Sequence, residues 1–404
     1  MGVRETPMSL LISNSGTLSP GLMNDSTIKL RKRAVTSACK EVLAIGSLGF
    51  IERNRGELRV LTDVVHSTSF NILQSVITDY KKLGPFMTLP TIALFTGDPA
   101  GIGPELVQKL LLSPIAQKAD KIILIGQEGS IQSTPQVHWH QWAGFKSAPF
   151  PKAVSNADNG AYMIDALAQG VSLVRDGQAD AFCFAPLNKS ALRMGGMHQE
   201  DELRWFAEFL NFNGVCGELN VLQDLWTSRV TSHVALKEVS SLLSSQKVFE
   251  SIEMISKALK ASGKSSPRLA VCGLNPHNGD NGNYGDEELS IIAPGVEMAH
   301  KAGIPADGPF PADTAFVRAI RKEGGYDGVV TMYHDQGQIA MKLMGFEKGV
   351  TVHGGLPIPI CTPAHGTAYD IAGQNIANPQ AMCNAFELAI RMGQHHRQST
   401  TSAA

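Results

Sequence analysis

Three histidines have the residue type and the position that metal chemistry requires. His233, His277 and His334 each lie near the end of an apolar segment that has the pattern of a buried strand. Because open α/β sheets bind ligands at the carboxyl ends of their strands, these residues could meet at one edge. Neutral imidazoles suit a borderline-soft divalent ion such as zinc. Each histidine taken singly is more often a loop residue with a structural hydrogen bond, so the metal-site prediction depends on their convergence.

Two acids and a lysine complete the set of candidate catalytic residues, which is Asp313, Asp335 and Lys342. Either aspartate could orient an imidazole or move a proton, although Asp335 could instead cap the following helix. Lys342 lies about two helical turns past His334, on the same predicted helix face. It could hold a substrate carboxylate or phosphate, or be a solvated surface lysine, and Lys189 after another strand end has the same two interpretations.

Alternating strand and helix patterns from residue 91 onward must position these side chains. Strand patterns occupy 91–96, 121–125, 179–184, 268–272 and 326–332, and helical patterns occupy 106–112, 159–173, 203–210 and 247–261. No internal repeat is found. The alternation predicts an α/β fold with mostly parallel sheets and a cleft active site.

A glycine-rich segment, GDPAGIGPE at 97–105, follows the first of these strands and precedes a helix. Such a turn can aim backbone N–H groups at an anion. Its spacing matches neither GxGxxG nor a Walker P-loop, so a ligand loop and a tight structural turn are equally compatible with it.

Composition and charge favour a small-molecule enzyme. The net charge of -2 lacks the basic excess that nucleic-acid or membrane-surface binding requires. The six cysteines are widely spaced and form no CxxC pair, as expected for reduced thiols. No apolar run is long enough to span a membrane, and the first thirty residues lack a signal-peptide pattern. The sequence therefore predicts a cytoplasmic protein.

Residues 1–90 differ from the rest, with 11 basic and 7 acidic residues against 24 and 30 in residues 91–404. The opening to about residue 28 is polar and aperiodic, and helical patterns follow at 34–45 and 70–83. We interpret 1–90 as a partly disordered N-terminal extension of unknown function, with nucleic-acid binding as a weaker alternative, and 91–404 as a dehydrogenase domain of two α/β lobes.

Five segments together resemble the 4-hydroxythreonine-4-phosphate dehydrogenase (PdxA) family of pyridoxal phosphate synthesis. They are TGDPAGIGPE at 96–105, VCGLNPH at 271–277, GPFPADT at 308–314, MYHDQG at 332–337 and HGTA at 365–368. The segment HGTAYDIAG at 365–373 is also similar to the adenine-side cofactor loop of isocitrate and isopropylmalate dehydrogenases. The resemblance implies their two-lobed fold, a homodimer, and NAD binding without a GxGxxG turn. It assigns the cofactor to His365, Gly366, Thr367, Ala368, Asp370 and Asn375.

The resemblance also implies a reaction. In the family three histidines, here His233, His277 and His334, bind one divalent metal at the dimer interface. Zinc is the expected ion, with magnesium or cobalt as alternatives. The hydroxyl β to a carboxylate is oxidised with NAD, and the β-keto acid then loses carbon dioxide. A metal lowers the pKa of the alcohol and stabilises the charge left by decarboxylation, while the nicotinamide accepts the hydride.

The predicted substrate-binding positions are Glu202, Leu203, Lys342, Thr351 and Ile360, and four of them depart from the family. Family members carry GHTE where this chain, aligned without gaps from Pro186, reads DELR at 201–204. Glu202 and Leu203 therefore replace a histidine and a threonine, Thr351 replaces an asparagine, and Ile360 replaces an arginine. Loss of the arginine removes a bidentate phosphate donor, and the new glutamate repels an anion.

These departures leave two enzymatic interpretations and one of another class. The chain is a phosphothreonine-type dehydrogenase, or a paralogue that oxidises an unphosphorylated hydroxy acid or a cis-dihydrodiol carboxylate. A non-catalytic ligand sensor is the third interpretation, and the retained histidines argue against it. The choice between NAD and NADP stays open, although no arginine cluster indicates a 2′-phosphate site.

Overall fold

The computed structural model describes two strands at 49–54 and 57–62, and residues 89–403 apart from 128, 133 and 146–149. The helical patterns expected at 34–45 and 70–83 lie outside the described residues. The chain divides into two compact units, Met1–Thr88 and Leu89–Ala404. In the first unit, β1 (Gly49–Asn54) and β2 (Glu57–Thr62) pair as an antiparallel hairpin.

A single sheet of 11 strands organises the second unit, in the order β10-β9-β11-β8-β7-β12-β13-β6-β3-β4-β5. Its strands are β3 (Thr91–Phe95), β4 (Lys121–Ile125), β5 (Val137–Trp139), β6 (Ala181–Phe184), β7 (Gly217–Leu222), β8 (Leu225–Arg229), β9 (Leu269–Cys272), β10 (Ala306–Phe310), β11 (Gly328–Thr331), β12 (Val350–Gly354) and β13 (Ile360–Pro363). The pairs β8–β7, β7–β12 and β12–β13 are antiparallel. The remaining pairs are parallel, so an antiparallel centre joins two parallel halves.

Helices cover both faces of this sheet. They are α1 (Gly103–Leu111), α2 (Ala157–Arg175), α3 (Lys189–Met194), α4 (Glu202–Phe209), α5 (Val239–Leu242), α6 (Ser245–Ala261), α7 (Ala293–Lys301), α8 (Ala312–Ala319), α9 (His334–Gly345) and α10 (Gln380–Ala403). Short 3-10 segments and a π-helical turn at Glu288–Ile292 connect some of them.

The buried strand β3 shows why the parallel strands are continuously apolar. Ile92 and Leu94 belong to the core cluster on one face of the sheet, whereas Ala93 and Phe95 belong to the cluster on the other. Because helices cover both faces, neither set of side chains can be polar. The predicted α/β fold with mostly parallel strands is confirmed.

The antiparallel centre was not predicted, because its strands are polar on one side. Glu218 and Asn220 of β7 alternate with apolar neighbours, as do Thr351 and His353 around Val352 in β12. Alternation of this kind indicates a strand with one open face. Among the described residues, no helix is both long and apolar enough to cross a membrane.

Candidate active site

The three predicted metal ligands follow three neighbouring strands. β9, β11 and β8 are adjacent and parallel, so their carboxyl ends lie at the same edge of the sheet. His233 lies in the loop after β8 with a left-handed backbone (φ +43), and His334 is the first residue of α9, after β11. The two ring centroids are 5.6 Å apart. The fold thus brings together two imidazoles that are about a hundred residues apart in the chain.

Each of these imidazoles faces a carboxylate through the same ring nitrogen. His233 Nδ1 is 3.3 Å from Glu200 Oε1, and His334 Nδ1 is 2.6 Å from Asp335 Oδ1. A carboxylate on one ring nitrogen fixes the ring and leaves the other nitrogen, here Nε2, for a metal. In the described part of the chain, Glu200, Asp201 and His233 also form a compact group of possible ligand atoms, all within 4.8 Å. Asp335 therefore lies where it could orient the His334 ring, and that role remains a prediction.

His277 and Asp313 lie outside this arrangement within one copy of the chain. His277 is exposed in the irregular segment Pro276–Asn281, where its backbone is left-handed, and its ring centroid is 6.2 Å from that of Tyr284. Asp313 is exposed in the first turn of α8. Their predicted metal and catalytic roles remain predictions.

A cavity of about 340 Å³ opens beside His334. Helix α9 presents His334, Gln338 and Lys342 to it, one helical turn apart, as the spacing of His334 and Lys342 predicted. His365 and Gly366, in the loop after β13, also line it. The cavity therefore joins candidate metal, substrate and cofactor residues.

One wall of the cavity is the polar side of the antiparallel centre. In the register of β7 and β12, Glu218 lies opposite His353 and Asn220 lies opposite Thr351. All four residues line the cavity. Asn220 Nδ2 lies 3.4 Å from Thr351 Oγ1, and Gln338 of α9 donates to Asn220 Oδ1. Thr351, predicted from the family pattern, thus lies on the lining.

Arg229, at the end of β8, forms hydrogen bonds with two residues of this wall and with Ser232. Its Nη2 donates to Glu218 Oε2 at 2.6 Å, its Nη1 to Asn220 Oδ1 at 3.1 Å, and its Nε to Ser232 Oγ at 2.8 Å. Burial by itself would raise the pKa of Glu218, but the Arg229 guanidinium, together with His353 and Lys189, holds that pKa below its usual range. Protein acceptors thus occupy all three nitrogens of this guanidinium.

Helix α4 brings Glu202 to the cavity. Asp201 caps the helix, since its Oδ1 accepts a 2.9 Å hydrogen bond from Arg204 N, and Glu202 begins the first turn. Glu202 lines the cavity with Oε2 4.0 Å from Lys189 Nζ, and burial raises its pKa despite that lysine. Leu203, by contrast, is 3% exposed and does not belong to the lining.

Ile360 lies in the core. It is fully buried in β13 and belongs to the hydrophobic cluster that also contains Phe206, while Thr362 of the same strand reaches the cavity. Leu203 and Ile360 were predicted to bind substrate, but neither side chain lines the cavity.

The predicted cofactor loop packs on the glycine-rich loop after β3. Ile102 N donates to Thr367 O at 3.1 Å, and a Cβ added to Gly101 would lie 2.9 Å from that oxygen. Tyr369 OH donates to Oδ2 of the fully buried Asp98 at 2.6 Å. Residues 97–105 therefore support residues 365–373 structurally, and this role is compatible with either a ligand loop or a tight turn.

The far end of the cofactor loop is also anchored. Lys109 Nζ of α1 donates to Asn375 O at 3.1 Å, and Gln374 Nε2 donates to Asp370 O at 2.8 Å. Ala368 and Asn375 both have left-handed backbones, which give the loop its tight curvature. Asp370 is exposed at the start of a 3-10 turn, Tyr369–Ile371.

Sequence reasoning missed Glu218, Asn220, Arg229 and His353. In the sequence, Glu218 and Asn220 are two residues apart, as are Thr351 and His353, and each pair lies in an otherwise apolar segment. In a strand this spacing places both members of a pair on the same face. It was overlooked because the neighbouring strand patterns are fully apolar and none of these residues belongs to a recognisable motif.

Comparisons with known proteins show which family the chain belongs to. The family model described as "Pyridoxal phosphate biosynthetic protein PdxA" matches residues 109–389. A protein of Pseudomonas aeruginosa named "Putative 4-hydroxythreonine-4-phosphate dehydrogenase 2" is 51% identical over 76% of this chain and 98% of its own length.

Two solved structures share the fold over most of the second unit. The 4-hydroxythreonine-4-phosphate dehydrogenase of Klebsiella pneumoniae has a TM-score of 0.66 at 29% identity, and covers 76% of this chain and 98% of its own. A terephthalate 1,2-cis-dihydrodiol dehydrogenase of Burkholderia xenovorans has a TM-score of 0.57 at 25% identity, and covers 75% and 98%. The predicted oxidoreductase class, acting on CH–OH groups, is confirmed by these relatives. The chain belongs to the PdxA family.

Proposed function

We propose that this chain catalyses the NAD-dependent, divalent-metal-dependent oxidation of a hydroxyl β to a carboxylate, followed by decarboxylation. The observation that carries the proposal is the pair His233 and His334, held 5.6 Å apart beside a cavity that also contains Lys342 and the cofactor-loop residue His365. Candidate metal, carboxylate-binding and cofactor residues thus lie around one cavity.

The two steps balance without any further reactant. The carbinol carbon loses a hydride to NAD and its hydroxyl loses a proton, which leaves a ketone β to the carboxylate. The bond to the carboxylate carbon then breaks, carbon dioxide departs, and a proton from the site is added to the α-carbon. When bound beside these residues, a divalent metal would supply Lewis acidity and a nicotinamide would accept the hydride.

The residues present fit a divalent metal. The two Nδ1 atoms face carboxylates, so both imidazoles can offer Nε2 in a fixed orientation. His233 and His334 are both half-exposed, which leaves room for substrate oxygens on the ion. Asp335 can accept the hydrogen bond of His334 Nδ1–H and so orient that ring, and Lys342, on the cavity lining, can pair with the substrate carboxylate.

A homodimer accounts for the separate position of His277. Helix α9 begins with His334 and exposes Ile339 and Leu343 one turn apart, Leu343 to 85%. Leu236, three residues after His233, is 70% exposed. Exposed apolar side chains next to His233 and His334 favour a second copy of the chain that covers them. That copy would also supply His277 as the third imidazole.

The test is NAD reduction by protein loaded in turn with zinc, magnesium or cobalt, offered hydroxy acids with and without a phosphate. We expect NADH and carbon dioxide in equal amounts, and no NADH after chelation of the metal. NADH without carbon dioxide would limit the reaction to oxidation. No NADH with any acid and metal would refute the proposal.

A further inference from the structure

One corner of the cavity has a composition that the proposed reaction does not explain. It consists of Lys189, Glu202, Glu218 and His353, which we call the acidic corner, and all four residues line the cavity. His353 lies opposite Glu218 in the strand register, and Glu202 Oε2 is 4.0 Å from Lys189 Nζ. Burial raises the pKa of Glu202, and the charge of Glu218 adds to that rise.

His353 contributes unused hydrogen-bonding capacity. Its side chain is 4% exposed, and neither ring nitrogen has a hydrogen-bond partner among the described residues. The ring is fixed by Phe184, stacked at 5.8 Å, and by the edge-on Phe206 at 5.1 Å. A buried polar atom without a partner costs about 1–3 kcal/mol. A neutral imidazole has one donor and one acceptor, which is what a ligand hydroxyl can satisfy.

The charges of the acidic corner balance within the protein. Arg229 neutralises Glu218, and all three guanidinium nitrogens already donate to protein acceptors. Lys189 offsets the charge of Glu202. No positive charge is left over in this corner, and its carboxylates accept rather than donate hydrogen bonds. A phosphate ester carries a charge of about −1.5 to −2 and needs donors, so it is poorly matched to these groups.

We propose that the acidic corner is the subsite for an uncharged, hydroxyl-bearing end of the substrate, with Glu202 accepting a hydrogen bond from a substrate hydroxyl and His353 binding the same or the adjacent hydroxyl. This inference rests on the proposed function, because it assigns the end of the substrate that does not react. The substrate class is then an unphosphorylated polyhydroxy acid. Glu202 and His353 are its specificity-determining residues.

The experiment compares matched pairs that differ only in the phosphate. The pairs are 4-hydroxythreonine, threonate and erythronate, each with its 4-phosphate, tested on the full chain with metal and NAD. We expect kcat/KM to be at least about 10-fold higher for the unphosphorylated member, since a lost charged hydrogen bond plus repulsion exceeds 1.4 kcal/mol. In the absence of NAD, the unphosphorylated member should also give the larger rise in Tm.

Two variants connect this preference to the named residues. Glu202→Gln keeps the side-chain shape but removes the charge, so the KM of the phosphate ester should fall while that of the unphosphorylated acid rises. His353→Asn should raise the KM of the unphosphorylated acid more than it lowers kcat. Glu208→Gln, on the exposed face of the same helix, is the control and should leave the preference unchanged.

The outcomes separate this inference from the proposed function. Turnover that favours the phosphate esters would overturn the subsite and leave the proposed function standing. A Tm rise with unphosphorylated acids but no NADH would support the subsite and refute the proposed function. No turnover and no Tm change with any pair would overturn both, and an unchanged preference in Glu202→Gln would remove Glu202 from the subsite.

Discussion

The hydroxyl of Tyr369 donates a 2.6 Å hydrogen bond to Oδ2 of Asp98, 271 residues away in the chain. Asp98 is fully buried, and its Oδ1 accepts a second hydrogen bond from Ala100 N at 2.9 Å. Burial raises the pKa of both side chains, and the shared hydrogen bond opposes this for Asp98 while adding to it for Tyr369. This contact couples the glycine-rich loop after β3 to the predicted cofactor loop.

Removal of that hydrogen bond should weaken both folding and cofactor binding. Tyr369→Phe leaves Asp98 Oδ2 buried without this donor, which should lower the free energy of unfolding by about 1–3 kcal/mol. Because residues 365–373 lose a support, KM for NAD should rise more than KM for the hydroxy acid. Urea denaturation and steady-state kinetics measure the two effects.

Tyr326→Phe is the matched control for this prediction, because the Tyr326 hydroxyl meets the half-exposed Asp307 on another part of the sheet. It should leave KM for NAD unchanged. An equal rise of KM for NAD in both variants would contradict a specific role of Tyr369.

Loss of a metal imidazole should be measurable without any assay of turnover. His334→Ala removes one Nε2 ligand, and we expect metal affinity to fall by about 100-fold or more, beyond the 10- to 100-fold typical of a residue that only orients a ligand. Elemental analysis after dialysis, and the Tm shift on chelation, both report this. His233→Ala should behave alike.

Asp335→Asn provides the graded comparison, since it weakens the hydrogen bond at His334 Nδ1 but keeps both imidazoles. Its loss of metal affinity should be smaller than that of His334→Ala. Full metal content in His334→Ala would exclude His334 as a metal ligand. If this variant also bound the hydroxy acid as tightly as the wild type, the result would favour the interpretation of the chain as a non-catalytic ligand sensor.

The buried His353 should make stability depend on pH. Burial lowers the pKa of His353 from 6.5 to about 4. Above pH 6.5 the imidazole is neutral in both folded and unfolded chains, so it contributes no pH dependence. Between pH 6.5 and 4 the unfolded chain binds the proton and the folded chain does not, so stability falls as the pH falls. The total effect is about 3 kcal/mol.

The difference between wild type and His353→Asn isolates this effect, because all other titrating groups are common to both. From pH 7 to pH 4, the wild type should lose about 3 kcal/mol more free energy of unfolding than the variant. His138→Asn, at an exposed position of β5, should follow the wild type. Parallel pH profiles for wild type and His353→Asn would show that His353 is not buried in its neutral form.

The sequence by itself determined the α/β class and the family. Apolar runs such as 121–125 coincide with observed strands because burial on both faces leaves no polar position in them. The positions of His233, His277 and His334 after apolar segments predicted a metal site, and that prediction depended on whether the three imidazoles converge. The spacing of His334 and Lys342 fixed their common helix face for the same local reason.

Only the tertiary structure decided which residues share the cavity. Leu203 and Ile360 match substrate positions of the family pattern, yet both lie in the core, because the face a side chain presents depends on how its element packs. Glu218 and His353 are 135 residues apart and became neighbours through the antiparallel register of β7 and β12. Such a register is set by long-range pairing and by burial of the opposite face, and no local pattern encodes it.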